Sequence, residues 1–243
     1  MKYLKQFIEK GVFNFNDANL LIGNKSTTFT ILRSYIDKKY IKKIKRNLYV
    51  AVNLESGMAN VSKYVIASNI NDNSFVSYHS AFEFYGYYNQ VYNNVNVSSL
   101  NKFNKFSFED NEYLFNNTLT DKYVDVVRGA KVTCIERTIV DNIKGIGKLT
   151  DLEETMKCID LISYVDENKI LGYLNIIGSK ILYKKVGYIL EYFKDSLLLS
   201  DAFLEECINK GGNVKGYFNK NVYGLKYNSK WKLYVYSNLE SYL

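Results

Sequence analysis

Few residues in this chain could carry proton-transfer or metal chemistry. His79 is the single histidine among 243 residues, with Glu83 four positions on; Glu136, Arg137 and Asp141 make a second polar group. One histidine cannot build a histidine-rich metal centre. Cys134, Cys158 and Cys207 lie too far apart in sequence for a zinc motif, so no metal and no cofactor are expected. Each acid also has a local structural role open to it. Ser80-Ala81-Phe82-Glu83, Thr133-Cys134-Ile135-Glu136 and Thr150-Asp151-Leu152-Glu153 all have the form of a capping box, in which the glutamate bonds the start of its own helix. Arg137 and Asp141 are spaced as an i,i+4 pair that can satisfy itself. Gly145-Ile146-Gly147-Lys148 lacks the spacing of a phosphate loop. Asp125 has no Glu-x-Lys partner on a following strand, as a metal-dependent nuclease needs. For each of these residues the structural account is favoured over a catalytic one.

Recognition of a polyanion is better represented. Residues 1–50 hold eleven Lys or Arg against three acids, while the whole chain is only +7, so the basic excess is local to the N-terminus. From Ser26 to Tyr40 the pattern is helical. Phe29, Ile31, Leu32, Tyr35, Ile36 and Tyr40 share an apolar arc, and Thr27, Thr30, Arg33, Ser34, Asp37 and Lys38 share the polar one. From Ile41 to Val52 the pattern alternates like a strand pair around Asn47, a residue that tolerates the positive φ of a tight turn. A hydroxyl-rich helix leading into a lysine-loaded hairpin is the layout of a recognition helix and wing.

The elements that must position these residues follow from punctuation. Tyr3–Lys10 is predicted helical with Gly11 as its stop; Asn16 or Asp17 caps a helix over Ala18–Ile22, and Ser26 or Thr27 caps the third. The polar stretch 54–60 marks a domain boundary. After it come a helix at 61–70, a strand at 75–77, strands between 91 and 127, helices near 152–163, 167–178, 180–194 and 200–209, and a hairpin over 223–236. The expected fold class is α+β. It comprises an N-terminal winged helix-turn-helix domain at 1–54 and a larger mixed α/β C-terminal domain at 60–243, ending in a helical region and a short hairpin. A chain that is 47% hydrophobic and 16% aromatic is too apolar for disorder. No apolar run reaches the ~20 residues of a membrane span and the first residues lack a signal-peptide core. With three scattered cysteines, these features lead to the expectation of a soluble cytoplasmic protein without membrane contact.

The order of these features resembles the AbiEi family, the antitoxins and transcriptional autoregulators of type IV abortive-infection toxin–antitoxin pairs. The resemblance rests on the winged-helix pattern, on Phe75-Val76-Ser77-Tyr78-His79-Ser80-Ala81-Phe82-Glu83-Phe84-Tyr85-Gly86, and on Val132-Thr133-Cys134-Ile135-Glu136-Arg137-Thr138-Ile139-Val140-Asp141. It extends through Tyr183-Lys184-Lys185-Val186-Gly187-Tyr188-Ile189-Leu190, with nothing matched after about residue 200. Family members often have glycine where this chain has Asn47. The resemblance implies a non-enzymatic phage-defence antitoxin, with no catalytic residue, that represses its own operon by binding inverted repeats in double-stranded DNA. It would also counteract a cognate nucleotidyltransferase-type toxin, and would be a monomer that binds DNA cooperatively. It carries DNA contacts over to Thr27, Thr28, Thr30, Arg33, Ser34, Lys42, Lys43, Lys45 and Arg46, and makes His79, Glu83, Glu136, Arg137 and Asp141 candidates for antitoxin activity. Reversing all four wing cations to Glu is expected to abolish DNA binding without unfolding the chain, and residues 60–243 alone are expected to relieve toxicity. Two other readings compete: a nucleic-acid-modifying enzyme with a DNA-targeting head, and a ligand-sensing transcriptional regulator.

Overall fold

The computed structural model describes residues 2–219 and 223–243. It is a mixed α+β fold in which three short helices and a hairpin come first: α1 (Leu4–Lys10), β1 (Val12–Phe13), α2 (Phe15–Ile22), α3 (Lys25–Asp37), β2 (Ile41–Lys45) and β3 (Leu48–Ala51). α1 ends at Gly11, whose φ of 70° lets its N–H return to the carbonyls of Phe7 and Ile8. The caps lie upstream of those expected. Asn14 and Asp17 close a capping box on α2, and the Asn24 side chain accepts from the Thr27 N–H at the start of α3. Asparagine's short amide competes well with hydroxyls and carboxylates for this role, so sequence alone did not separate the options. The strands make a three-stranded antiparallel sheet in the order β1-β3-β2. Leu4, Phe7, Phe13, Ala18, Leu32, Tyr35 and Ile41 fill the space between helices and sheet, with the Phe7 and Phe13 rings stacked at 4.4 Å.

Next come α4 (Lys63–Ser68), β4 (Phe75–Val76), α5 (His79–Tyr85), β5 (Asn94–Ser99), β6 (Phe106–Phe108), β7 (Asn111–Asn117), β8 (Val124–Val127) and β9 (Ala130–Thr133). The sheet order is β6-β7-β5-β4-β9-β8; β5 and β7 run parallel, with β6 paired antiparallel to β7. The remaining helices are α6 (Ile135–Gly145), α7 (Leu152–Asp160), α8 (Glu167–Ile177), α9 (Lys180–Tyr192) and α10 (Asp201–Gly211). The chain ends in β10 (Gly216–Tyr217), β11 (Lys226–Asn228) and β12 (Leu233–Val235), where β11 and β12 form the antiparallel hairpin expected near the C-terminus.

By compactness the chain divides into two units. The first holds Met1–Val76, Asn93–Thr118 and Val126–Lys131; the second holds Ser77–Tyr92, Leu119–Asp125 and Val132–Leu243. The expected boundary at 54–60 thus falls inside the first unit, because strands β5 to β7 return to it. The second unit has the large apolar core, built from Phe82, Ile139, Met156, Leu174, Ile189 and Trp231 among others. Trp231 lies against Gly187 of α9, where any Cβ would collide with the ring, and its indole N–H donates to Glu191 at 2.6 Å. The segment after residue 200 is integral to this core, through Phe203, Leu204, Cys207 and Leu233.

Candidate functional site

Helix α3 buries Leu32 and Tyr35 of the expected apolar arc, and Ile31 and Tyr40 pack against the same core, but it adds Thr28 and leaves Phe29 and Ile36 outside. Thr28, Leu32 and Tyr35 are its buried residues, whereas Phe29 is 56% exposed. Thr28 is fully buried and its hydroxyl donates to the Asn24 carbonyl at 2.8 Å. It cannot reach DNA, which corrects its carry-over as a contact. Thr28 joins the core with its hydroxyl bonded to the preceding turn, while Phe29 finds an outer partner in Phe15, ring centroids 4.4 Å apart. Thr27, Thr30 and Arg33 lie exposed and Ser34 is half-buried. The Thr27 hydroxyl donates to the Asn24 side chain and that of Thr30 to the Ser26 carbonyl, which leaves lone pairs on both facing solvent.

The hairpin has two unlike sides. Asn47 makes the turn at φ 62°, and a bulge between Lys43 and Lys45 breaks the alternation. Lys42 forms an ion pair with Glu109 at 2.9 Å, and the same carboxylate accepts the Ala59 N–H at 2.9 Å. Lys45 lies over the rings of Phe103 and Phe106, 5.3 and 5.4 Å from their centroids, and burial pushes its pKa down. Both lysines thus bind the hairpin to the β6 region of their own unit. Lys43 and Arg46 remain exposed at the tip. The expectation that all four wing cations are open to a ligand is corrected for Lys42 and Lys45.

The candidates of the second unit are buried, and their carboxylates serve loops instead of local boxes. α5 is preceded by Tyr78 at φ 52° with no side-chain cap, and Glu83 accepts the Tyr92 N–H at 2.9 Å. α6 is capped at Cys134 without a side-chain bond, and Glu136 accepts the Asp166 N–H at 3.1 Å. The third box is displaced by one residue: Asp151 caps the Glu154 N–H, not Thr150. His79 lies 2.9 Å from Glu154, and the carboxylate of Glu154 also takes the N–H groups of Asn89 and Gln90 and the Asn89 side chain. Burial pushes the Glu154 carboxyl up, but the bonds from His79, Gln90 and Asn89 outweigh it and hold the pKa below its ordinary value.

His79, Glu154 and Cys158 place one donor atom each within 4.8 Å of one another, a grouping that could hold a metal ion. The chemistry of the donors opposes it. The Glu154 carboxylate already accepts from five protein donors, His79, the Asn89 N–H and side chain, the Gln90 N–H and the Cys158 thiol, so the group is satisfied without an ion. The cluster acts as a clamp on residues 89–92. Arg137 and Asp141 do form the expected pair, at 3.2 Å and 1% and 3% exposed. Arg137 also donates to the carbonyls of Thr120 and Lys122, and the Tyr173 hydroxyl donates to Asp141 at 2.7 Å. Burial pushes the Asp141 pKa up against the pull of Arg137 and Tyr173. Glu154, Tyr173 and Glu109 escaped the sequence reading because their partners lie 32 to 75 residues away.

No family model matches the chain, and no curated protein does. A similar fold occurs in the crystal structure of the RV2827C protein from Mycobacterium tuberculosis. The TM-score is 0.65 at 12% sequence identity, over 98% of this chain and 92% of that one. At that identity the likeness concerns the fold, and it extends over the residues after 200 as well as those before.

Proposed function

We propose that residues 1–54 form a winged helix that binds double-stranded DNA, and that the protein is an AbiEi-type antitoxin. In this reading it represses its own operon and opposes a nucleotidyltransferase-type toxin. The observation that carries the DNA reading is the coincidence of exposure with charge. Thr27, Thr30 and Arg33 on α3 and Lys43 and Arg46 at the hairpin tip are all exposed, in the segment that holds the basic excess. The contact set narrows to these five, with Ser34 at their margin. Thr28 is a core residue, and Lys42 and Lys45 hold the hairpin in place.

The test is fluorescence anisotropy with a duplex from upstream of the protein's own reading frame. The double variant Lys43→Glu, Arg46→Glu should lose binding while melting like the parent, and removing two phosphate contacts should lower the salt slope of binding by about two. Lys42→Glu and Lys45→Glu should instead lower stability. Normal binding by the tip variant would end the wing assignment. For the antitoxin half, the tip variant should lose repression yet still rescue growth when expressed with the neighbouring toxin. His79, Glu83, Glu136, Arg137 and Asp141 are all buried. In this reading they maintain the second unit and do not themselves touch a partner.

A further inference from the structure

Gly145-Ile146-Gly147-Lys148, which lacks phosphate-loop spacing, borders a cavity of about 600 Å³ in the second unit. The lining includes Lys144, Lys148, Lys185, Tyr217 and Asn219, and no carboxylate among the described residues. The three lysines come from separate elements: the last turn of α6, the loop after it, and the middle of α9. Lys185 is the most enclosed. Its ammonium lies 5.5 Å from the Phe218 ring centroid, and burial together with the charge of Lys148 pushes its pKa down. Like charges are gathered around a concavity with no acid among its described lining residues, an arrangement that an anion would relieve.

The other wall suits an aromatic ring. Tyr217 is 50% exposed and stacks on Tyr234 at 4.8 Å, which fixes it as a platform. The Asn219 amide donates to the Tyr236 hydroxyl at 3.2 Å. It also lies so close to Gly147, at φ 80°, that a Cβ there would collide with the amide. A glycine is thus required where the loop meets this wall.

We propose that this cavity binds a nucleotide, with its phosphate chain against Lys144, Lys148 and Lys185, its base on the Tyr217 ring, and the Asn219 amide at a polar edge. The volume matches a small-molecule site. The three cations line one hollow of small-molecule size, which favours a compact polyphosphate ester over a nucleic-acid strand. The lining residues belong to the second unit and α3 to the first, so this inference does not rest on the DNA reading.

Equilibrium dialysis of the full chain with labelled ATP and GTP tests it, with AMP, tripolyphosphate and a short single-stranded oligonucleotide as competitors. The triphosphates should bind saturably, AMP more weakly, and tripolyphosphate should compete less well than the nucleotides. Lys148→Ala and Lys185→Met should each weaken binding about tenfold, the scale of one charge-assisted contact. The methionine keeps the packing on Phe218, so its melting temperature should match the parent's. Tyr217→Ala should weaken nucleotides and leave tripolyphosphate unchanged, while Lys43→Glu should alter neither. Absence of binding at millimolar nucleotide, or binding indifferent to Lys148 and Lys185, overturns the proposal. Tighter binding of the oligonucleotide overturns the choice of a small ligand, and equal binding of tripolyphosphate overturns the base contact.

Discussion

Asn47 makes the hairpin turn at φ 62°, and its side-chain oxygen also accepts the Phe15 N–H at 3.0 Å, at the start of α2. A glycine could take the turn but not the second bond, which accounts for asparagine at a position where the resembling family often has glycine. Arg137 shows the same economy of one side chain serving several partners. It joins Asp141, two loop carbonyls and the face of Tyr173, 4.8 Å from the ring centroid, with almost no exposure. The pairing was legible from the i,i+4 spacing; the loop carbonyls at 120 and 122 were not. Removing the guanidinium would strand both a buried carboxylate and those carbonyls. Arg137→Met should therefore destabilise the protein by about 3–5 kcal/mol. Asp141→Asn should cost less, because the Tyr173 hydroxyl keeps an acceptor. Urea denaturation followed by Trp231 fluorescence measures both, and equal losses would contradict this division of roles.

Helices were readable as elements, less so at their edges. The sequence signs of α3, α7, α8, α9 and α10 correspond to observed helices within a few residues. The capping boxes differ from expectation: Glu83 and Glu136 accept N–H groups of loops away from their own helix starts, and in the third Asp151 is the cap while Glu153 pairs with Lys157. A box motif reports what a carboxylate could reach locally; folding brought loop N–H groups to Glu83 and Glu136 from 9 and 30 residues away. Glu154 makes the consequence measurable. Its folded pKa lies below the ordinary 4.5, so its contribution is fully present above that value and is lost as pH falls through the folded value. Glu154→Gln should thus be less stable than the parent at neutral pH, with the gap narrowing below pH 4.5. A gap that stays constant on acidification would show that its hydrogen bonds to His79, Asn89 and Gln90 are not charge-dependent.

Across the whole molecule, the N-terminal hairpin and strands β5 to β7 belong to one compact unit. Cutting at residue 60 would strip Glu109 of Lys42 and Ala59, and Phe103 and Phe106 of Lys45. Residues 60–243 alone should therefore lose hydrogen-exchange protection along Asn111–Asn117, and the separability expected of a two-domain chain should fail. Protection equal to that in the full chain would restore it. No helix among the described residues is long and apolar enough to cross a membrane. Composition, local charge and hydrophobic period determined that this chain folds as α+β, where its helices run, and that its basic excess lies at the front, since all are properties of neighbours in sequence. Tertiary structure alone decided that Thr28 is core, that Lys42 and Lys45 are anchors, and that Lys144, Lys148 and Lys185 share a hollow. Those outcomes depend on burial and on partners tens of residues away, which short-range pattern does not encode.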